Sequence, residues 1–170
     1  MAKKVAEQLV DTLIEAGVRR IYAVTGDSLN EVNEAVRQNE AMKWIHVRHE
    51  ETGAYAAGAE AQLTGLPGCC AGSSGPGHVH LINDAHRSGA PVIAIASTIP
   101  TGEFGTEYFQ ETNTVKLFND CSFYNEVATT PEQFPRMLQS ALQTATTRKG
   151  VAVVGLPGDL AKKPAVKVES

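Results

Sequence analysis

The sequence predicts an α/β domain in which a mostly parallel sheet is covered by helices on both faces, in three α/β/α layers. Segments with apolar residues at helical spacing alternate along the chain with short apolar runs of strand length, and this alternation is typical of βαβ units. The 170 residues are 42% hydrophobic and 20% charged, which fits one globular domain with a sizeable core.

Five helices and six strands are predicted in order. The first helix presents Val5, Leu9 and Leu13 on one face and ends at Gly17. The other four helices pass through Val32 and Val36, through the alanine-rich residues 50–62, through residues 78–89, and from Pro131 to about Thr146. The six strands are RIYAV (20–24), KWIHV (43–47), GCCAG (68–72), PVIAIAS (91–97), FYNEVA (123–128) and GVAVVGLP (150–157).

Four polar or glycine-rich loops follow the predicted strands: TGDS, RHEE, GSSGPG and the nonperiodic residues 98–114. Ligands of open parallel sheets bind beyond the carboxyl ends of the strands. We therefore expect these loops to gather on one edge of the sheet, and the longest of them to be functional or mobile.

Charge and composition argue against several function classes. The net charge is -4 without a block of Lys or Arg, so nucleic acid is not an expected partner. The segment AKKVAEQL lacks the apolar core of a signal peptide, and no apolar run reaches membrane-spanning length. Cys69, Cys70 and Cys121 fit neither a disulfide framework nor a metal site, so we expect buried thiols in a cytoplasmic protein.

Two histidine- and glycine-rich features have ordinary explanations. GSSGPG would let the backbone approach an anion, but it has the spacing of neither a dinucleotide fingerprint, a Walker loop nor a nucleophile elbow, so a tight turn is favoured. His78 and His80 would point about 200° apart on a helix and could not share an ion. No metal site is predicted.

The segment RHEETGAYAAGAEAQ raises a sharper question. Glu50 and Glu51 would lie in the first turn of a helix, where the macrodipole stabilises carboxylates without any catalytic role. Gly53 and Gly58 would each cost about 1 kcal/mol relative to alanine inside that helix. Close approach by another backbone or by a ligand is the usual compensation.

Four motifs, YAVTGDSLNEV, RHEETGAYAAGAEAQLTG, GSSGPGHVHLIN and EYFQET, together resemble the N-terminal domain of thiamine-diphosphate-dependent pyruvate oxidases, including the bacterial quinone-dependent pyruvate dehydrogenases. The resemblance extends to GLPGDLAKKPA. It implies a pyrimidine-binding domain over residues 1–164, the start of a linker at 165–170, and a six-stranded parallel sheet of order 2-1-3-4-6-5.

The resemblance also implies a catalytic role for Glu50, which would hydrogen-bond the aminopyrimidine ring of thiamine diphosphate and favour its imino form. The reaction would be the oxidative decarboxylation of pyruvate or another 2-keto acid. The other implied site residues lie in the loops: Thr25, Gly26 and Asp27 as cofactor-binding residues on the substrate side, Gly75, Pro76 and Gly77 bordering the pyrimidine, and Phe109 and Gln110 contacting substrate.

Partners follow from the same resemblance. A second domain, in the same or another subunit, would hold the diphosphate and Mg²⁺, and FAD is implied in the full-length enzyme. We expect a face of small residues on the third helix to meet that domain, and a homodimer or larger species to form. The residues of this face are Ala54, Ala57, Gly58 and Ala61.

Two departures from the family pattern stand out. Asn83 runs directly into Asp84, where relatives carry about three more residues, nearly one helical turn. The chain also lacks both a magnesium-binding GDG motif and a flavin domain.

Three interpretations stay open. The chain could be a domain cut from a longer oxidase and inactive alone, which the open-ended tail favours. It could instead be a free-standing subunit of a split decarboxylase, or a flavodoxin-like module without thiamine chemistry.

Overall fold

The computed structural model describes residues 2–81 and 84–166, apart from the side chain of Asp84. A six-stranded sheet has the order β2-β1-β3-β4-β6-β5, and all of its pairings are parallel. Both the predicted α/β class and the strand order implied by the resemblance are confirmed. The strands are β1 (Arg20–Ala23), β2 (Lys43–His46), β3 (Gly68–Gly72), β4 (Val92–Thr98), β5 (Tyr124–Val127) and β6 (Val151–Pro157).

Helices cover both faces of this sheet. Three short 3-10 turns lie at Asp27–Leu29, Asp84–His86 and Thr101–Glu103. The α-helices of the described ranges are α1 (Val5–Glu15), α2 (Asn30–Arg37), α3 (Glu50–Thr64), α4 (Pro76–Val79), α5 (Thr114–Leu117), α6 (Phe134–Arg148) and α7 (Gly158–Ala161). None of the described helices is long and apolar enough to cross a membrane.

The core has two parts, one on each face of the sheet. Alternate residues of β4 point into opposite parts, Ile93 and Ile95 toward α1, α2 and α6, and Ala94 and Ala96 toward α3. The central strands β3, β4 and β6 are buried along their whole length, because helices cover both of their faces.

The small-residue face of α3 packs against its own domain, so the prediction that it meets a partner is wrong. The predicted residues Ala54, Ala57 and Ala61 are at most 1% exposed. A methyl group on Gly53 would stand 3.0 Å from the Tyr22 carbonyl oxygen, and one on Gly58 would stand 3.1 Å from the Ala85 Cβ. The two glycines therefore permit close packing of α3 on β1 and on the turn after α4.

Two predicted helices differ in the structure. In the described part of the helix predicted over residues 78–89, α4 ends at Val79, His80 and Leu81 form a turn, and Asp84–His86 form a 3-10 turn. Ala85 packs closely on Gly58 of α3, a tertiary contact that helical periodicity does not signal. The shortened junction at Asn83 lies outside the described residues. The last long helix begins at Phe134 instead of Pro131, because Pro135 has no backbone N–H to donate to the Pro131 carbonyl oxygen.

The cysteines are free thiols. Cys69 and Cys70 are fully buried in β3, and burial raises the pKa of both, that of Cys70 to about 12. Cys121 is half-buried, and burial raises its pKa as well. The prediction of buried thiols is thus confirmed for the pair in β3.

Candidate functional site

The predicted loops do gather at the carboxyl edge of the sheet. The Ser74 backbone N–H, after β3, donates to Ser28 Oγ in the loop after β1 at 3.0 Å. Ser97 Oγ, near the end of β4, donates to the Ser28 and Leu156 carbonyl oxygens at 2.8 and 2.9 Å. Hydrogen bonds therefore tie the ends of β1, β3, β4 and β6 into one surface, where open α/β sheets bind ligands.

Glu50 is the first residue of α3 and lies at this edge. His49 caps the helix by accepting the Glu51 backbone N–H on Nδ1 at 3.2 Å. The Glu50 side chain is half-buried, and Glu50 Oε1 lies 3.2 Å from the position that a Cβ on Gly77 would take. In residues 2–81 and 84–166, no group donates a hydrogen bond to this carboxylate, so its oxygens remain available to a ligand.

Ser73 joins the loops around Glu50. A Cβ on Gly26 would overlap the Ser73 side chain, and one on Gly77 would stand 2.6 Å from Ser73 Oγ. The two glycines leave room for the loops after β1 and β3 to touch. Sequence reasoning did not single out Ser73; its place in GSSGPG, immediately after β3, was the available signal.

The turn after β3 also meets the long loop. Gly75 has φ +70° and ψ -128°, a conformation that side-chain-bearing residues avoid, and a Cβ there would stand 2.7 Å from the Gln110 Cβ. Ser74 Oγ donates to Gln110 Oε1 at 3.1 Å. Glycine is therefore required at position 75 for both backbone geometry and space.

A cavity of about 310 Å³ opens beside this contact, and its walls include Asp27, Ser74, Phe109 and Gln110. Phe109 is 80% exposed. Lys162 of the C-terminal segment lines the same cavity, a cation that the sequence reasoning missed. The carboxylates of Asp27 and Asp159 also line it, so the cavity could admit a small polar molecule.

The predicted site residues thus fall into two adjacent groups. Glu50, Gly26 and Gly77 lie around Ser73, while Asp27, Phe109 and Gln110 line the cavity. The turn of residues 73–77 contributes to both groups, with Ser73 and Gly77 near Glu50 and Ser74 in the cavity wall, and it also contains Gly75 and the exposed Pro76. Thr25 is exposed, directly precedes Gly26 and is not part of the cavity lining among the described residues.

Together these features define a ligand-binding α/β domain whose site combines an available carboxylate with glycine-lined backbone. The family described as "Thiamine pyrophosphate enzyme, N-terminal TPP binding domain" matches residues 3–117. The chain belongs to this family of thiamine-diphosphate enzyme domains.

Similar proteins cover more than one activity. The chain is 55% identical over 93% of its length to an uncharacterized 42.6 kDa protein of Pseudomonas amyloderamosa, and it covers 41% of that protein. It is 38% identical over 85% of its length to a pyruvate oxidase of Lactiplantibacillus plantarum, covering 24% of it. It is 32% identical over 96% of its length to a chloroplastic acetolactate synthase of Arabidopsis thaliana, covering 25% of it. The chain thus spans less than half the length of these relatives.

Proposed function

We propose that this chain binds the aminopyrimidine half of thiamine diphosphate in an enzyme that decarboxylates pyruvate or another 2-keto acid oxidatively. The observation that carries the proposal is the half-buried Glu50 carboxylate, which has no hydrogen-bond donor in the described residues and lies against Gly77. A carboxylate in this position suits a ring nitrogen that must share a proton.

The residues around Glu50 fit a flat heterocycle. Gly26 and Gly77 present backbone where side chains would fill the space, and Ser73 Oγ adds a polar group between them. Backbone groups can therefore approach the ring closely, while Glu50 would hydrogen-bond a nitrogen at the ring edge. We assign Gly26 and Gly77 as cofactor contacts on this basis, and we assign Thr25, Asp27, Gly75 and Pro76 as cofactor contacts on the resemblance alone.

Thiamine diphosphate, when bound, supplies a carbon nucleophile toward the keto carbon of the substrate. The contribution of this chain is to hold and orient. Glu50 would keep a proton at the pyrimidine edge, Phe109 would shield the reacting end from water, and Gln110 would offer an amide to the substrate. The 310 Å³ cavity beside these two residues is large enough for a three-carbon keto acid.

The rest of the site would come from other parts of a longer protein or from another subunit. The relatives are more than twice the length of the matched region, which favours a multidomain enzyme over a subunit of a split decarboxylase. We assign the diphosphate, Mg²⁺ and FAD to those parts, and we expect a homodimer or larger assembly. The buried free thiols of Cys69 and Cys70 support a reducing cytoplasm as its location.

Glu50→Gln in the protein as it is encoded tests the proposal, with Glu51→Gln as the matched control. Glu51 is the next residue of the same helical turn but is exposed. We expect Glu50→Gln to lower kcat/KM for pyruvate by about 100-fold or more, within the range of lost proton-transfer catalysis, and Glu51→Gln to change it by less than about twofold. Measurements use thiamine diphosphate, Mg²⁺ and FAD; equal effects of the two variants would contradict the assignment.

The same assay distinguishes two possible reactions of pyruvate. Oxygen or quinone reduction with pyruvate alone supports oxidative decarboxylation. Formation of acetolactate from two pyruvate molecules, without net oxidation, would place the enzyme with the synthases among its relatives. If the protein does not bind thiamine diphosphate at all, the hypothesis of a flavodoxin-like module without thiamine chemistry would be favoured.

A further inference from the structure

His78 stands apart among the five histidines, all of which the structure describes. It is 1% exposed, whereas His46, His49 and His80 are exposed and His86 is half-buried. A buried polar side chain is retained when its hydrogen bonds are satisfied, and none of the roles proposed above uses this one. Its contacts therefore call for an explanation.

Two hydrogen bonds fix the His78 ring. Nδ1 lies 2.7 Å from the Ser97 carbonyl oxygen, and because a carbonyl oxygen only accepts, Nδ1 carries the proton and donates. Nε2 contacts Thr112 Oγ1. Burial lowers the pKa of His78, although the Ser97 hydrogen bond opposes this effect. In the neutral ring Nε2 has a lone pair, so it accepts the Thr112 hydroxyl proton.

These bonds connect three parts of the site edge. His78 follows the turn of residues 73–77, and its backbone N–H donates to the Ser73 carbonyl oxygen at 2.8 Å. Ser97 lies one residue beyond Ala96, the last β4 residue that pairs with β3. Thr112 belongs to the long loop and lies two residues after Gln110. The His78 ring therefore spans from the sheet to the loop that carries the proposed substrate contacts.

The loop needs such a restraint. Gln110 has φ +67°, in the left-handed region that a glutamine seldom occupies unless its surroundings hold it there. Tyr108 and Phe109 are 45% and 80% exposed, so burial contributes little to fixing them. Among the described residues, the Ser74–Gln110 hydrogen bond and the His78–Thr112 contact link side chains of the turn side to this end of the loop.

We propose that His78 is a positioning residue that holds the loop of residues 99–113 against the turn of residues 73–77, and thereby sets Phe109 and Gln110 relative to Glu50. This inference rests on the proposed function, because it concerns the substrate side of that site. It assigns His78 no contact with substrate or cofactor. Its consequence is selective: loss of the link impairs binding of the 2-keto acid more than binding of thiamine diphosphate.

Three variants of the encoded protein isolate the link. His78→Leu removes both hydrogen bonds, and Thr112→Val removes only the hydroxyl at the loop end, which keeps the test open if His78→Leu does not fold. His78→Gln restores a donor and an acceptor on one planar group. Thr147→Val is the matched control, because the Thr147 hydroxyl donates only within α6, to the Gln143 carbonyl oxygen.

The first measurement is amide hydrogen exchange of residues 101–110 without ligands, which needs no thiamine chemistry. We expect exchange to be about fivefold or more faster in His78→Leu and Thr112→Val, because local opening controls it. We expect wild-type rates in Thr147→Val and rates near wild type in His78→Gln. Unchanged exchange in both His78→Leu and Thr112→Val would overturn the inference.

The second measurement is steady-state kinetics with pyruvate and a binding isotherm for thiamine diphosphate. We expect kcat/KM to fall about tenfold in His78→Leu and Thr112→Val, mainly through KM, with the Kd of thiamine diphosphate within about twofold of wild type. His78→Gln should recover most of the loss. Unchanged kinetics despite faster exchange, or a His78→Gln variant as impaired as His78→Leu, would overturn the positioning role. A wild-type protein that neither binds thiamine diphosphate nor turns over pyruvate, with faster exchange in the variants, would instead refute the proposed function and leave the link supported.

Discussion

The turn of residues 73–77 and the loop of residues 99–113 form two walls of the same site, but they are packed differently. The turn packs tightly on the end of β3: a Cβ added to Gly72, the last residue of β3, would stand within 3 Å of the Gly77 and His78 backbones, and a Cβ added to Gly77 would stand within 3 Å of Ser73 Oγ. The loop carries exposed aromatics, and Gly102 and Gly105 have no atom within 4 Å of an added Cβ. One wall is fixed by packing, and the other is held by a few hydrogen bonds.

This difference in packing suits the roles proposed for the two segments, cofactor binding by the turn and substrate contact by the loop. A cofactor ring needs a surface of constant shape, whereas a substrate must enter and leave past groups that can move. Segments with few buried apolar contacts open most easily. We therefore expect substitutions in the turn to change stability and those in the loop to change activity.

The largest effect is expected for Gly72→Ala. An added methyl group would stand 2.6 Å from the Gly77 carbonyl oxygen and 2.7 Å from the His78 Cα, and these backbone atoms cannot move aside separately. We expect the free energy of unfolding to fall by about 3 kcal/mol, at the upper end of overpacking effects. Denaturant unfolding measures it. Gly102→Ala, in the loop, is the control. If both variants lost the same free energy of unfolding, the claim that the turn is packed more tightly than the loop would be contradicted.

A smaller, pH-dependent effect is expected for Asp159→Asn. Asp159 in α7 accepts from the Thr101 backbone N–H and hydroxyl at 2.9 and 2.8 Å, which attaches the start of the loop to α7. Burial raises the pKa of Asp159, but these hydrogen bonds and the Lys163 charge outweigh it and leave the pKa below its usual value.

The lowered pKa of Asp159 determines how its contribution to stability changes with pH. A carboxyl of this kind contributes stability above its unfolded pKa, near 4, and the contribution is lost as the pH falls through the folded pKa. At pH 7 we expect the free energy of unfolding of the wild type to be higher than that of Asp159→Asn by about 1 kcal/mol or less. This difference in stability should shrink below about pH 4. Unfolding at pH 7, 5, 4 and 3 tests this, with the exposed Asp120→Asn as control. A difference independent of pH would show that the charge is not what holds the loop.

The smallest effect on stability is expected for Phe109→Ala. Because this side chain is 80% exposed, its removal should change the free energy of unfolding by less than about 0.5 kcal/mol. Under the proposed function it should nevertheless lower kcat/KM for pyruvate about tenfold. Phe104→Ala, an exposed phenylalanine of the same loop outside the 310 Å³ cavity, serves as the activity control. Equal kinetics of these two variants would remove Phe109 from the substrate wall.

Much of the fold could be predicted because the relevant signals are local. The runs GCCAG and PVIAIAS became β3 and β4, since short apolar segments bounded by turn residues have few alternatives to a buried strand. GSSGPG marked the turn, whereas the strand order was implied by the resemblance to the family and not by any local signal. The departure from the helix predicted over residues 78–89 could not be foreseen, because the local pattern does not signal the close contact with α3 there.

The sequence by itself determined the class of fold and the edge at which the loops meet, because hydrophobic period and glycine placement act over a few residues. Only the tertiary structure decided which way the small face of α3 points and what His78 does. Both depend on partners far along the chain: Tyr22 and Ala85 for the α3 glycines, and Ser97 and Thr112 for the His78 ring. A side chain's spacing along its own helix does not reveal which distant backbone will approach it.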